Sequence, residues 1–320
     1  MIAIRALLRR ADRAVLAAIA CNVVLLAAGA LYDANFLSPG YLLQQLQVAS
    51  FLGVIATGVL VVVLLGHIDL SIPWVVTLGG MMSTATAGHD GVAGSLAIPF
   101  AVACGVAIGI VNGVGVAYLR VPSMIFTLAT NTIAQGLMVV HTSGFAPQDH
   151  ATPAMHFLAV ERSILGIPNA VWVWTAVGAA TVAMLHRTSF GRRIYAIGNG
   201  ERAVYLSRGH VGRVVVGCFA ISGACSAFAG VLLAGYSTKA YQAMGDPYLL
   251  PAIAAVVLGG ANILGGRGSY LGTVAGVVLV TLLQSILSIV QMPEAGRQVI
   301  YGSVIIVMLL AYGRDPKGGT

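Results

Sequence analysis

A chain of 320 residues that is 58% hydrophobic and 8% charged, with a mean hydropathy of +0.92, is not a water-soluble globule, a class in which about a quarter of residues are charged. Its formal net charge of +7 does not mark a nucleic-acid binder, because the arginines sit in short connections between apolar runs, where positive charge sets membrane topology. The apolar runs extend for about 20 residues without polar alternation, which suits helices and not barrel strands. The fold class is therefore all-α, a polytopic transmembrane helical bundle forming one domain over residues 1–320.

In chain order, an arginine-rich start (Arg5, Arg9, Arg10, Arg13) leads into an apolar run too long for an ordinary signal-peptide core, and reads as an uncleaved first helix. About ten spans follow from runs bounded by charge, Pro or Gly: 14–32, 43–66, 72–88, 94–118, 123–141, 170–186, 214–235, 250–264, 270–290 and 297–312. With both termini cytoplasmic, every basic residue except Arg162, Lys239 and Arg297 falls on the inner side, as the positive-inside rule requires. The acids Asp33, Asp90, Asp149, Glu161, Asp246 and Glu294 fall on the outer side. The four cysteines lie in apolar runs without metal or redox spacing and read as small buried hydrophobes.

Two outer connections are long enough to carry features of their own. Residues 142–169 contain an apolar stretch at 155–160, expected as a short helix lying on the outer surface. Residues 236–249 carry three tyrosines, read either as an interfacial belt or as contacts with an external protein. On the inner side, residues 187–213 hold six arginines against the single acid Glu201.

Most of the forty glycines fit close helix packing in a membrane; two clusters exceed that. At Gly66–Pro73 (GHIDLSIP) the sequence must break or turn, and the ionisable His67 and Asp69 border an apolar run, which makes them functional candidates. Asp69 also suits a helix cap with Pro73 in the first turn, and His67 suits a hydrogen-bonded wall residue. At Leu258–Gly276 seven glycines interrupt an apolar run around Arg267. LGHIDLS and LGGANIL align with Asp69 opposite Asn262, as a decayed repeat would, and transporters place their sites where two interrupted segments meet. The neutral polar residues Asn112, Asn131, Gln135 and Gln284 within spans suit an uncharged polyhydroxy solute better than an ion. Candidate path residues are thus His67, Asp69, Ser71, Asn131, Gln135 and Asn262.

No phosphate-binding loop, zinc-protease motif or nucleophile elbow occurs in the chain. A non-catalytic membrane subunit is expected, with no metal and no cofactor of its own.

The ordered motifs resemble those of permease subunits of bacterial ABC-type monosaccharide importers (ribose, xylose, arabinose, rhamnose). They are Ile68–Ser71; Val121-Pro122 followed by Thr127-Leu128 and Gln135–Leu137; Thr188-x-Phe190-Gly191-Arg192 through Ala196–Gly198; Ser222-Gly223 with Ala229-Gly230; and Gly259-Gly260 through Gly265-Gly266, Gly268 and Gly272-Thr273. The likeness runs from about Phe36 to Tyr312. His67 and Pro73 stand where that family has glycines, and AIGNGERAVYLSRGHV departs from its usual inner loop. The resemblance implies an inner-membrane, multi-pass permease that couples to a separate ABC ATPase through a short cytoplasmic helix and the residues Arg192, Arg193, Glu201, Arg202, Tyr205 and Arg208. Glu201 to Ser207 is the candidate for that helix, with its acid at the positive N-terminal end and Gly209 to stop it. The flanking arginines are alternatively lipid anchors. It also implies an extracytoplasmic solute-binding protein and a second permease copy or paralogue as partners. Permeases for branched-chain amino acids or nucleosides share this subunit type, and a stand-alone secondary transporter or channel is the reading from a different class.

Overall fold

The computed structural model describes residues 13–32, 34–87, 96–145, 147, 149–206 and 210–312. Among these, secondary structure consists of twelve α-helices, two short 3-10 turns and isolated bridges. The helices are α1 (Arg13–Tyr32), α2 (Pro39–Val63), α3 (Ile72–Ala87), α4 (Ala97–Ala117), α5 (Ser123–His141) and α6 (Pro153–Ala159). They continue with α7 (Asn169–Arg187), α8 (Ser189–Leu206), α9 (Val211–Ser237), α10 (Leu249–Leu258), α11 (Tyr270–Ile289) and α12 (Glu294–Tyr312). Each expected span contains a helix. Five helices, α2, α4, α5, α9 and α11, are long and apolar enough to cross a membrane on those criteria alone.

Local chemistry fixes the helix ends. Ser38 accepts from the Tyr41 amide at 3.3 Å with Pro39 just behind it, opening α2. Gly66, at φ +83°, closes α2: its amide donates to Val63 O at 2.8 Å, and the His67 amide reaches back to Val62 O at 3.3 Å. This is a left-handed C-terminal cap, which glycine adopts without steric cost.

The bundle is organised around α9, which packs on α2, α3, α4, α6 and α8. In lipid no hydrophobic force draws helices together, so close van der Waals packing of small residues has to do so. Gly105, Gly109 and Gly113 make a four-residue-spaced stripe on α4. A Cβ on them would come within 2.4 Å of Gly223 O, 2.2 Å of Phe219 O and 2.5 Å of Val216 Cα on α9. Gly230 meets α3 in the same way, its would-be Cβ 1.9 Å from Val76 O. α2 is buried almost all round from Ala49 to Leu65, whereas α5 leaves Met124, Ile125, Leu128, Ile133, Leu137 and Val140 exposed.

Three expectations are corrected. The run at 250–264 is helical only to Leu258. A ten-residue helix is about 15 Å long, roughly half of a hydrocarbon core about 30 Å thick. The preceding connection compensates by entering the bundle: Ala240 and Met244 are buried, and the Gly245 amide donates to Thr77 Oγ1 at 3.2 Å. The short helix α6 is not simply laid on the surface but docked by one face: Met155 and Ala159 are fully buried and Gln47 Nε2 donates to Ala159 O at 2.7 Å, while Phe157 stays exposed. Of the cysteines, Cys218 is buried, Cys104 and Cys225 are partly exposed, and Cys21 faces outward. The connections 142–169 and 236–249 are stitched together by a backbone bridge between His150 and Lys239. Tyr236 and Tyr241 are exposed there, while Tyr248 packs against the core.

Candidate functional site

The first interruption, Gly66–Ser71, is an extended segment between α2 and α3, and non-helical backbone in a membrane protein needs partners from the protein itself. α5 supplies them. Ser123, Thr127 and Asn131 recur every four residues and so line one face of that helix. Ser123 Oγ accepts from the Ile68 amide at 3.3 Å, Thr127 Oγ1 from Leu70 at 2.9 Å, and Asn131 Oδ1 from Trp74 at 3.2 Å. The last of these also satisfies one of the donors left open in the first turn of α3.

Asp69 is 4% exposed, and its carboxylate is fully engaged. Oδ1 accepts from the Ser71 amide at 3.0 Å and from Ser71 Oγ at 2.6 Å; Oδ2 accepts from Ser222 Oγ of α9 at 2.7 Å. Asn112 Nδ2 of α4 then donates to Ser71 Oγ at 2.8 Å. The carboxylate thus pins the interruption to the central helix α9 and, through Ser71, to α4. Asp69 does not cap α3 directly. It holds the amide of Ser71, whose own carbonyl accepts the first helical bond from Val75 at 3.0 Å.

The second interruption, Gly259–Ser269, begins with the same kind of cap as the first. The Gly260 amide donates to Val257 O and that of Ala261 to Val256 O, with Gly260 at φ +89°. Val62-Val63-Leu64-x-Gly66 therefore matches Val256-Val257-Leu258-x-Gly260, one residue out of the register read from the sequence. Asp69 corresponds to Ile263, and Asn262 stands opposite Ile68. Asn262 Oδ1 accepts from the Leu264 amide at 3.0 Å, closing its own turn. Ser269 Oγ accepts from Gly272 N at 3.1 Å and starts α11.

The two interruptions meet. The Gly266 amide donates to Leu64 O at 3.0 Å, and a Cβ on Gly66 would lie 2.9 Å from Leu264 O. Of the candidate path residues, His67, Asp69, Ser71 and Asn131 gather at the first interruption. Asn262 belongs to the second, and Gln135 is exposed on α5, one turn beyond Asn131.

The arginine-rich segment reaches the same junction. α8 is two helices joined at the non-helical Gly200, so a separate helix does start at Glu201. Arg192, Arg193, Glu201, Arg202 and Tyr205 are exposed, Tyr205 at 69%; Arg208 lies outside the described residues. Glu201 is close enough to His67 to act on it electrostatically. At the opposite end of the bundle a cavity of about 240 Å³ opens between α3 and α5, lined by Met81, His141, Thr142, Phe145 and Asp149 among others. Among the described residues no group of three or more His, Cys, Asp or Glu could hold a metal ion.

Sequence reasoning missed Ser123, Thr127 and Ser222 as site-building residues. Polar residues four apart in an apolar helix were the available signal for the α5 ladder.

Residues 41–309 match the family described as branched-chain amino acid transport system / permease component. The chain is 32% identical to the ribose import permease protein RbsC of Haemophilus influenzae over 291 residues, 90% of each chain. It is 34% identical to that of Bacillus subtilis over 278 residues, 86% of this chain and 85% of the relative. The autoinducer 2 import system permease protein LsrD of Yersinia enterocolitica is 32% identical over 267 residues, 81% of this chain and 79% of the relative. No solved structure matches the chain. A helical bundle with two interrupted helices touching at one end, and likeness along nine tenths of its length to transport permeases, agree on one assignment: the chain belongs to the branched-chain amino acid transport system / permease component family.

Proposed function

We propose that this chain is the translocation subunit of an ATP-driven importer for a monosaccharide, with ATP hydrolysed by a separate ABC ATPase. The observation that carries the reading is the meeting of the two interruptions beside α8, together with the length-wide likeness to ribose import permeases. All ten long segments cross the bilayer of the bacterial inner membrane, α10 with its re-entrant approach, and both termini are cytoplasmic. The exposed helix Glu201–Leu206 docks in the ATPase, with Arg192, Arg193, Arg202, Tyr205 and Arg208 around the contact. A solute-binding protein delivers sugar at the opposite end, and a second permease, identical or paralogous, completes the path.

Asp69 and Ser71 are occupied by each other, Ser222 and Asn112, so they shape the path from behind. His67, Asn131, Gln135 and Asn262 are the side chains left nearer to a solute. Gln135 in particular is a polar group exposed on α5 among Ile133, Leu137 and Val140, where lipid is a poor neighbour for it. The family description supports a second reading, branched-chain amino acids as cargo.

Reconstitution tests the proposal. The purified chain alone in liposomes should leave sugar gradients untouched. With its co-purifying ATPase and binding protein it should accumulate a monosaccharide and not leucine, and Tyr205→Arg should abolish substrate-stimulated ATP hydrolysis. A reporter fused after Arg193 should read as cytoplasmic. Unaided sugar flux, or an external reporter, overturns the importer or its topology respectively.

A further inference from the structure

The first half of α8, before Gly200, is not an ordinary packed helix. It ends in backbone-level contact with the last turn of α2 and with the second interruption. A Cβ on Gly198 would lie 2.0 Å from Leu64 O and 2.4 Å from Gly266 N, so no larger residue fits without parting the elements. Asn199 Nδ2 donates to Gly266 O at 3.2 Å and to Tyr195 O at 2.8 Å, and Tyr195 OH donates to Gly268 O at 3.0 Å. Gly266 N in turn donates to Leu64 O at 3.0 Å. The last turn of α2, the second interruption and α8 are thereby tied in one chain of hydrogen bonds. By contrast a Cβ on Gly200 would meet nothing closer than Ala203 Cβ at 3.9 Å, so the clamp stops one residue before the exposed arm begins.

We propose that Tyr195 and Asn199 are positioning residues that lock the inner ends of both interrupted helices to the exposed arm Glu201–Leu206, so that one displacement of the arm moves the two interruptions together. A push on an arm tied only to its own flanking helices would shift α7 and α9 and leave the two interruptions behind. With this joint, Leu64 and Gly66 follow α8 through Gly266, and the extended segment that starts at His67 follows them. Packed junctions of this kind switch between discrete arrangements and do not deform smoothly, which suits the opening and closing of an inner constriction. The joint rests on the importer reading for its purpose, but not for its existence.

The test has two arms that fail separately. In the purified permease alone, Tyr195→Phe/Asn199→Ala should speed amide hydrogen exchange of residues 64–68 and 264–268 by about tenfold or more, as loss of the two hydrogen bonds to Gly266 O and Gly268 O implies. Exchange within α9 should not change. In the assembled complex in liposomes, the same variant should hydrolyse ATP within about twofold of wild type while sugar taken up per ATP falls about tenfold, the factor about 1.4 kcal/mol of lost linkage would give. Tyr195→Phe alone, which deletes one hydroxyl, should give a smaller fall in the same ratio and serves if the double variant does not assemble. Unchanged exchange shows that there is no joint. Faster exchange with an unchanged uptake-to-ATP ratio shows a joint that transmits nothing, and overturns the proposal while leaving the importer intact. Absence of ATP-dependent uptake by the wild-type complex removes the importer reading, and the exchange arm still decides the joint.

Discussion

The interruption at Gly66–Ser71 is held by a cluster of side chains, whereas the one at Gly259–Ser269 rests mainly on close backbone contact, with Tyr195 and Asn199 as the side chains that reach it from α8. Around the first, five polar side chains from three helices reach in: Ser123, Thr127 and Asn131 from α5, Asn112 from α4 and Ser222 from α9. Around the second, glycines let backbones touch. Gly259 and Gly272 face each other so closely that a Cβ on either would lie 2.3 Å or 2.0 Å from the other's carbonyl oxygen, and Gly276 stands likewise 1.9 Å from Ala255 O. The same helix cap therefore leads into two different kinds of joint. Side-chain bonds can be removed one at a time and weaken by degrees. Backbone contact tolerates no addition and fails as a whole.

The largest effect is accordingly expected at the second joint. Gly259→Val places its branched Cβ inside the Gly272 carbonyl and must separate α10 from α11. Overpacking of this kind costs about 3 kcal/mol or more. The variant should yield little monodisperse protein in detergent, and a wild-type melting temperature would show that the two helices are free to slide apart. Asp69→Ala comes next. It leaves the Ser71 amide, Ser71 Oγ and Ser222 Oγ without their buried acceptor, a loss of about 3 kcal/mol spread over several groups, and sugar uptake by the reconstituted complex should fall at least about tenfold. Asp69→Asn keeps an acceptor for Ser71 and an amide that can donate to Ser222 Oγ, so it should stay nearer to wild type. Equal loss in the two variants would point to a need for the charge itself.

How far each joint was legible follows from the same contrast. Apolar runs announce helices, and α5 was bounded to the residue because Pro122 precedes it and His141 closes it. The interruption at Asp69 stood out because an ionisable residue in an apolar run is costly unless it has partners. Its partners did not stand out: Ser222 is 153 positions away, and nothing local marks a serine that donates to a carboxylate from one that bonds its own helix. At the second joint hydropathy misled. Ile263 and Leu264 continue an apolar run past Leu258, but the left-handed turn at Gly260 ends the helix there. A turn of that kind is set by φ, which composition does not report, and missing it also shifted the repeat by one residue. The clamp at Gly198 was invisible for a related reason. A glycine needed for close approach and a glycine that is merely tolerated are the same letter.

The smallest effect isolates one rung of the α5 ladder. Thr127 is fully buried; its hydroxyl donates to Ser123 O at 2.8 Å and accepts from the Leu70 amide at 2.9 Å. Thr127→Val keeps the branched shape and deletes both bonds. Ser123 O is the helix's own carbonyl and keeps its partner in α5, so its loss costs little. The Leu70 amide lies in extended backbone with no helical alternative. The net cost is therefore that of one buried donor left unmet, about 1 kcal/mol, and it should appear as faster exchange at Leu70 with Trp74 and its Asn131 bond undisturbed. Thr127→Ser restores the hydroxyl and should restore protection despite the lost methyl group. If Thr127→Val instead frees residues 67–74 as a block, the three rungs act as one unit. The first joint would then share the all-or-none character of the second.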